Sequence, residues 1–452
     1  MKARAALAAC LAAAWWSGPA RADQEEHKPP DVFHDGERTC KVDEADLPAK
    51  VDEIRVEGLV RTKEYVVRRE LFFSEGDVVT RAMFDLALTR LWNTTIFAHV
   101  DGEILRSCDG DRVIAVLRLE DRWTLNPLFS FGSGGNATFF RVGASDNNLL
   151  GHYVEAQAQY ENFDGFHGGQ AIFRDPRLFG RRLELLVQTD RLVRPRRGFS
   201  DQRTQAIVEI AKLELSDQLR FGARVSAFAN RFLPPLDSPA YFPAGTETFA
   251  LEPTLRVGRV DTVRIRQRGT SLELRPSVGR VFGSDVSSEY AAFTAQLLTF
   301  VMAGERWNFA ARARVSGTTR VPEHLQLYAG GLDLLRGFPD NYVRTQAFWL
   351  TNAEVRFTAF DSTWIALVPV AFADAIAARG PKGDVGGALA VGGGLRVLVP
   401  KFVGTGLRVD FAVPVTGNAR EVGEGEMGRF GPTTPTPETG TVQPSFGVYQ
   451  FF

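Results

Sequence analysis

The 452-residue chain has only three cysteines and six histidines, and after Trp16 no window approaches the ~20 consecutive apolar residues of a spanning helix. A membrane location must therefore come from strands, and a closed barrel is the only stranded form that leaves no backbone edge open to lipid. Catalytic strings are missing too. There is no Gly-x-Ser-x-Gly elbow, no phosphate loop and no His-Glu-x-x-His pair, and the histidines are scattered from His27 to His324. A Ser-His dyad is not expected either, because His152 is predicted at an inner turn and His167 in an external loop. These absences predict no catalytic residue, no metal site and no cofactor. The formal charge of -1 gives no sign of a nucleic-acid partner.

What the N-terminus does contain is a targeting pattern. Lys2 and Arg4, an apolar run from Ala5 to Trp16, and Ala20-Arg21-Ala22 predict a removable signal peptide over residues 1–22. Leu7-Ala8-Ala9-Cys10 imitates a lipoprotein box, but too little apolar segment precedes Cys10, so no lipid anchor is expected. Cleavage would remove three cations and no acid, taking the charge from -1 to -4. Cys40 and Cys108 remain in an oxidising compartment as a candidate disulfide, worth roughly 3 to 5 kcal/mol if unstrained. Two cysteines without a nearby histidine pair argue against a metal site.

A polar leader over residues 23–49, with Pro29-Pro30, is expected to be flexible. From residue 50 to 122 the periodicity predicts strand, helix, helix, strand, strand. Ile54 and Val56 alternate with Glu53 and Arg55, and Thr62 is the expected N-cap of a helix ending near Leu71. Thr80 is the expected cap of a second helix whose stripe of Phe84, Ala87, Leu88 and Leu91 must face a sheet. This is one small α+β domain.

From residue 123 to 452 apolar and polar residues alternate in blocks of roughly ten, the pattern of a wall with lipid on one side and water on the other. Phe221, Ala223 and Val225 alternate with Arg220, Arg224 and Ser226, and Leu407, Val409 and Phe411 with Arg408 and Asp410. So many charges exclude doubly buried soluble strands. Turn signals divide the region into sixteen antiparallel strands, an even number as in bacterial barrels. Residues 316–346 become the sixth outer loop and Thr416 to Gln443 the eighth. Arg194-Pro195-Arg196-Arg197 falls in the third outer loop, as a solvated segment or a contact for lipopolysaccharide phosphates.

Several strings carry a family resemblance over most of the mature chain. Gly58-Leu59 and Asn93-Thr94-Thr95-Ile96-Phe97 resemble a polypeptide-transport-associated (POTRA) domain. Ser145-Asp146-Asn147-Asn148-Leu149-Leu150-Gly151, Asp175-Pro176-Arg177-Leu178-Phe179-Gly180 and Leu335-Arg336-Gly337-Phe338 resemble the BamA/TamA outer-membrane protein assembly family. The resemblance implies a sixteen-stranded transmembrane barrel in the bacterial outer membrane and one periplasmic POTRA domain. It implies that Arg336 folds into the lumen and pairs with Asp374 and Glu354. Gly337 would supply a positive-φ backbone, and Phe338 would pack on the wall.

The resemblance also implies an opening seam between the first and last strands, where Gly132, Gly134, Gly135 and Gly447 loosen pairing. Turn glycines in a barrel that stays closed are the other account of these residues. The chain ends in Phe452, with Gln450 where an apolar residue is expected, so recognition by an assembly machinery would use Tyr449 and Phe451 in a shifted register. The expected partners are unfolded outer-membrane or secreted polypeptides, outer-membrane lipid and lipopolysaccharide, and periplasmic accessory proteins. A two-partner-type polypeptide secretion pore is the alternative, and a passive porin a weaker one.

Overall fold

The computed structural model describes residues 39–448 apart from 42–46, 108–111, 197–198, 215–217, 234–244, 264, 284–287, 320, 363, 380–382, 384, 400–405 and 418–438. The signal peptide, most of the leader, Cys108, Arg197, the bulk of the expected eighth outer loop and residues 449–452 lie outside the described residues. Cys40 is described by its backbone alone.

The small domain is built from β1 (Thr39–Lys41), β2 (Ala49–Lys50), β3 (Glu53–Glu57), α1 (Glu64–Arg68), β4 (Val78–Val79), α2 (Arg81–Asn93), β5 (Phe97–Ser107) and β6 (Val113–Asp121). Its sheet runs β1-β5-β6-β3, with β3 parallel to β6 and β5 antiparallel to it. The predicted stripe explains the packing: Phe84, Ala87 and Leu91 are buried against Ile104, Ala115 and Leu117, while Leu88 is half-covered. The Thr80 hydroxyl accepts from the Met83 amide at 3.3 Å, capping α2.

Three details depart from the sequence reading. Thr62 does not cap α1, whose N-cap is Lys63; the Thr62 hydroxyl is taken by the Asp121 carboxylate. The helix also stops at Arg68 rather than Leu71, where the Glu70 and Leu71 amides switch to shorter-range bonds with Val67 and Arg68. Within the leader, Thr39–Lys41 forms a strand opposite Leu105, Arg106 and Ser107, because the β5 edge offers backbone partners that side-chain polarity does not advertise.

Sixteen antiparallel strands close the barrel, from Leu125–Gly134 round to Gln443–Val448, with a two-residue extension at Phe360–Asp361 continuing the twelfth. Strands two to four have 9 or 10 residues, about enough to cross a bilayer. Strands five to ten have 14 to 18 and extend further. Alternation sorts the faces. Val187, Val208 and Val225 share one outward row, while inside Arg220 bridges Glu184 at 2.9 Å and Glu209 at 2.7 Å.

The described part of the basic string is not a loop. Arg194 and Arg196 end the fifth strand, Leu183–Arg196, and face the lumen, because Glu161 and the long loop draw them inward. Arg194 pairs with Glu161 at 2.5 Å, and Arg196 lies 4.2 Å over the Tyr328 ring and bonds Asn341. His167 likewise belongs to the fourth strand, Phe166–Asp175, beside Tyr160.

The small domain docks on the first two turns at one end of the barrel. Arg177 of the second turn makes a two-pronged pair with the fully buried Glu70, Nε to Oε1 at 2.6 Å and Nη2 to Oε2 at 2.9 Å, and Arg90 closes the triad at 3.0 Å. At the first turn the Asn148 amide donates to Thr62 at 2.8 Å, the Lys63 N–H donates to the Gly151 carbonyl at 2.9 Å, and Tyr65 meets His152 at 2.8 Å. Gly151 is required here, since a Cβ would stand 1.9 Å from the Arg61 oxygen.

Candidate functional site

At the other end of the barrel, the 319–346 segment turns back into the lumen between the eleventh strand, Trp307–Thr318, and the twelfth, Ala347–Phe357. Apolar anchoring drives this: Leu335, Phe338, Tyr342 and Val343 are buried against Leu350, Ile376, Ala388 and Ala390 of the wall. Phe338 and Tyr342 rings lie 4.6 Å apart. Gly337 has φ +83°, and a Cβ there would approach Ala412 at 3.0 Å.

This turn delivers Arg336 to a buried acidic row. On the twelfth to fifteenth strands even-numbered residues face the lumen, so the register that pairs Asn352 with Asp374 and Gly394 with Asp410 aligns Glu354, Asp374 and Asp410 on the wall. Arg336 Nε and Nη2 donate to Asp374 at 2.6 and 2.7 Å, and its backbone amide adds a third bond at 3.1 Å. Nη1 reaches Glu354 at 2.6 Å, and the guanidinium stands 3.6 Å from the Phe372 ring centroid. The structure thus brings together Arg336, Asp374 and Glu354.

The sequence reading missed the remainder of the network. Asp410 lies 3.7 Å from Arg336 and is held by Arg396 and by Arg408 at 2.5 Å. Asn352 donates to both Asp374 at 2.8 Å and the Leu334 carbonyl at 2.9 Å, and it receives Arg312 at 2.8 Å. Arg408 also donates to the Leu332 carbonyl at 3.1 Å. Parity could have flagged Asp410 and Arg408 as lumenal; which strands face the loop could not be read from it.

The seam between the last and first strands is described by three residue pairs, Phe446 with Ser133, Gly447 with Gly132 and Val448 with Phe131. The barrel is closed here, and three of its glycines lie against the loop that holds Arg336. A Cβ on Gly134 would lie 2.7 Å from Leu332 and 2.5 Å from Ser445, and one on Gly132 3.1 Å from Leu332. Gly135, at φ +61°, accepts the Asp340 amide at 2.7 Å, with Phe338 O 2.8 Å from where its Cβ would be. The tip of the Arg336 turn therefore rests on the first-strand flank of the seam.

A closed sixteen-stranded barrel with a lumenal arginine turn and a small α+β domain at one end has the architecture of an outer-membrane β-barrel. No protein-family model matches the chain. A 137-residue stretch is 27% identical to the outer membrane protein assembly factor BamA of Nitratidesulfovibrio vulgaris, covering 28% of this chain and 16% of that protein. A 107-residue stretch is 28% identical to a putative outer membrane protein assembly factor of Treponema pallidum, covering 22% of this chain and 13% of that protein. The matches therefore span less than a fifth of either relative's length.

In fold, the chain is similar to BamA from Haemophilus ducreyi lacking POTRA domains 1–3, with a TM-score of 0.63, 16% identity, and coverage of 88% of this chain and 84% of that one. It is equally similar to CdiB from Acinetobacter baumannii, with a TM-score of 0.63, 13% identity, and coverage of 89% and 74%.

Proposed function

We propose that this barrel is an outer-membrane protein assembly factor. Its small domain, read as a periplasmic POTRA domain, receives unfolded barrel polypeptides by strand addition, and the seam admits them into the membrane. The observation that carries this reading is that the tip of the Arg336 turn rests on the first-strand flank of the seam, at glycines where a Cβ would meet it. Opening the seam would expose a backbone edge to lipid, and such an edge seeks a partner. An incoming strand would satisfy that edge through main-chain hydrogen bonds, with little demand on sequence. Arg336, Asp374 and Glu354 act as a structural latch that fixes the turn above it. Clients would be barrel polypeptides, with periplasmic accessory proteins delivering them.

A second reading, polypeptide export through the lumen, draws on the equal likeness to CdiB. Insertion of a radiolabelled barrel client into liposomes carrying the purified chain separates the two. Acceleration over empty liposomes supports assembly. No acceleration, with open conductance in the same liposomes, overturns it in favour of a secretion pore or porin.

A further inference from the structure

The lipid-facing wall of strands five to seven carries a feature that neither latch nor seam uses. Successive outward rows read Leu183, Lys212 and Phe221; Leu185, Ile210 and Ala223; Val187, Val208 and Val225; Thr189, Ala206 and Ala227; then Arg191, Thr204 and Ala229. The apolar band is thus bounded by Lys212 at the small-domain end and by Arg191 at the other. Eight residues separate Leu183 from Arg191, about 26 Å along the strand at about 3.3 Å per residue, or about 20 Å in height at the usual tilt, close to the ~25 Å apolar belt of such barrels. Arg191 therefore stands at the headgroup level of the leaflet opposite the small domain.

It does not stand alone. One row higher Gln202 lies directly opposite Arg231, and the Gln202 side-chain oxygen, in the amide orientation that suits its neighbours, accepts from Arg191 Nη2 at 3.1 Å and Nε at 3.3 Å. Both arginines are exposed. The outward acid on the next strand, Glu247, forms an ion pair with neither, and no other carboxylate among the described residues does so. Beside Arg191 the wall carries a shallow, open depression lined by Tyr160, Gly169, Ala171, Thr189 and Thr204.

We propose that Arg191, Gln202 and Arg231 form a phosphate clamp for a phosphorylated glycolipid of the outer leaflet, with the adjoining depression taking the part of that lipid next to the phosphate. Guanidinium forks match phosphate oxygens bidentately, and unpaired cations facing outward at this depth are favoured only by anionic headgroups or water. The assignment rests on the reading of the small-domain end as periplasmic.

The test is native mass spectrometry and competition binding on the detergent-purified full chain, with bisphosphorylated lipid A as the probe. The comparison set is dephosphorylated lipid A, phosphatidylglycerol, inorganic phosphate and the Arg191→Gln/Arg231→Gln variant, whose folding is checked by heat-modifiable gel migration. The clamp predicts that loss of the lipid phosphates, or of both arginines, weakens retention about tenfold or more, with Arg→Lys at both sites recovering part of it. Equal retention of dephosphorylated lipid A by the unaltered chain overturns the proposal without relying on any variant. So does retention of phosphatidylglycerol or free phosphate as strong as that of lipid A. Client insertion into liposomes is a separate readout, so failure of the clamp and failure of the assembly reading are distinguishable.

Discussion

Arg336 and Asp374, 38 residues apart in sequence, are joined by a two-pronged ion pair buried inside the barrel, with contacts of 2.6 and 2.7 Å. Breaking a buried pair from one side strands the other charge, at a cost of about 3 to 5 kcal/mol. Asp374→Asn and Arg336→Ala should therefore release the 319–346 segment, read as new protease cleavage within it and a lowered unfolding temperature. Arg336→Lys keeps the charge but loses the fork, and should fall between these variants and the unaltered chain. Unchanged protection in all three would contradict a latch.

At the opposite end, Glu70 and Arg177 set how the small domain sits. Glu70→Gln should leave Arg177 and Arg90 without their shared carboxylate, again at about 3 to 5 kcal/mol, and loosen the docking. Hydrogen exchange should quicken at residues 61–70 and 147–153 together, while the barrel strands stay protected. Unaltered exchange at both segments would refute the rigid coupling.

The glycines predict a graded series. Gly135→Val places a branched side chain at positive φ against the Phe338 carbonyl and should displace the Arg336 turn. Gly165→Ala, at φ +85° with nothing within 4 Å, should cost only backbone strain of about 1 kcal/mol. Protease sensitivity of the 319–346 segment distinguishes them. Equal effects would mean that backbone strain, and not the approach of the loop, explains the seam glycines.

Acid should loosen the small domain through Asp121. Burial raises its carboxyl pKa, but bonds from the Thr62 hydroxyl and the Arg61, Thr62 and Val60 amides outweigh this and hold it below the usual carboxylate range. A depressed carboxyl contributes stability that is present above the unfolded value near ~4 and lost as pH falls through the folded one. Exchange at residues 60–62 should rise over that window and become pH-insensitive there in Asp121→Asn. A rise that persists in the variant would assign the transition to another group.

The parts legible in the sequence were those governed by local period. Alternation located sixteen strands, and the α2 stripe located the small domain's core. Arg336, Asp374 and Glu354 were legible because the resemblance carried by Leu335-Arg336-Gly337-Phe338 coincides with acids on the polar face of the strands that follow. Asp410 and Arg396 were not, because their place beside the loop depends on how the closing sheet staggers its strands. Glu70 with Arg177 was hidden by 107 residues of separation. The Thr39–Lys41 strand was hidden because three polar residues on an edge carry no periodicity. Arg194 and Arg196 misled because basic strings suggest loops unless an inward acid such as Glu161 is known to face them.

The central claim, that clients enter through the seam, is tested most directly by locking it. Ser133 and Phe446 are paired across the seam, at a separation that suits a disulfide. With Ser133→Cys/Phe446→Cys, insertion of a radiolabelled barrel client into liposomes should fall to the empty-liposome rate when oxidised and recover on reduction. Insertion at the full rate with the crosslink intact would contradict entry through the seam.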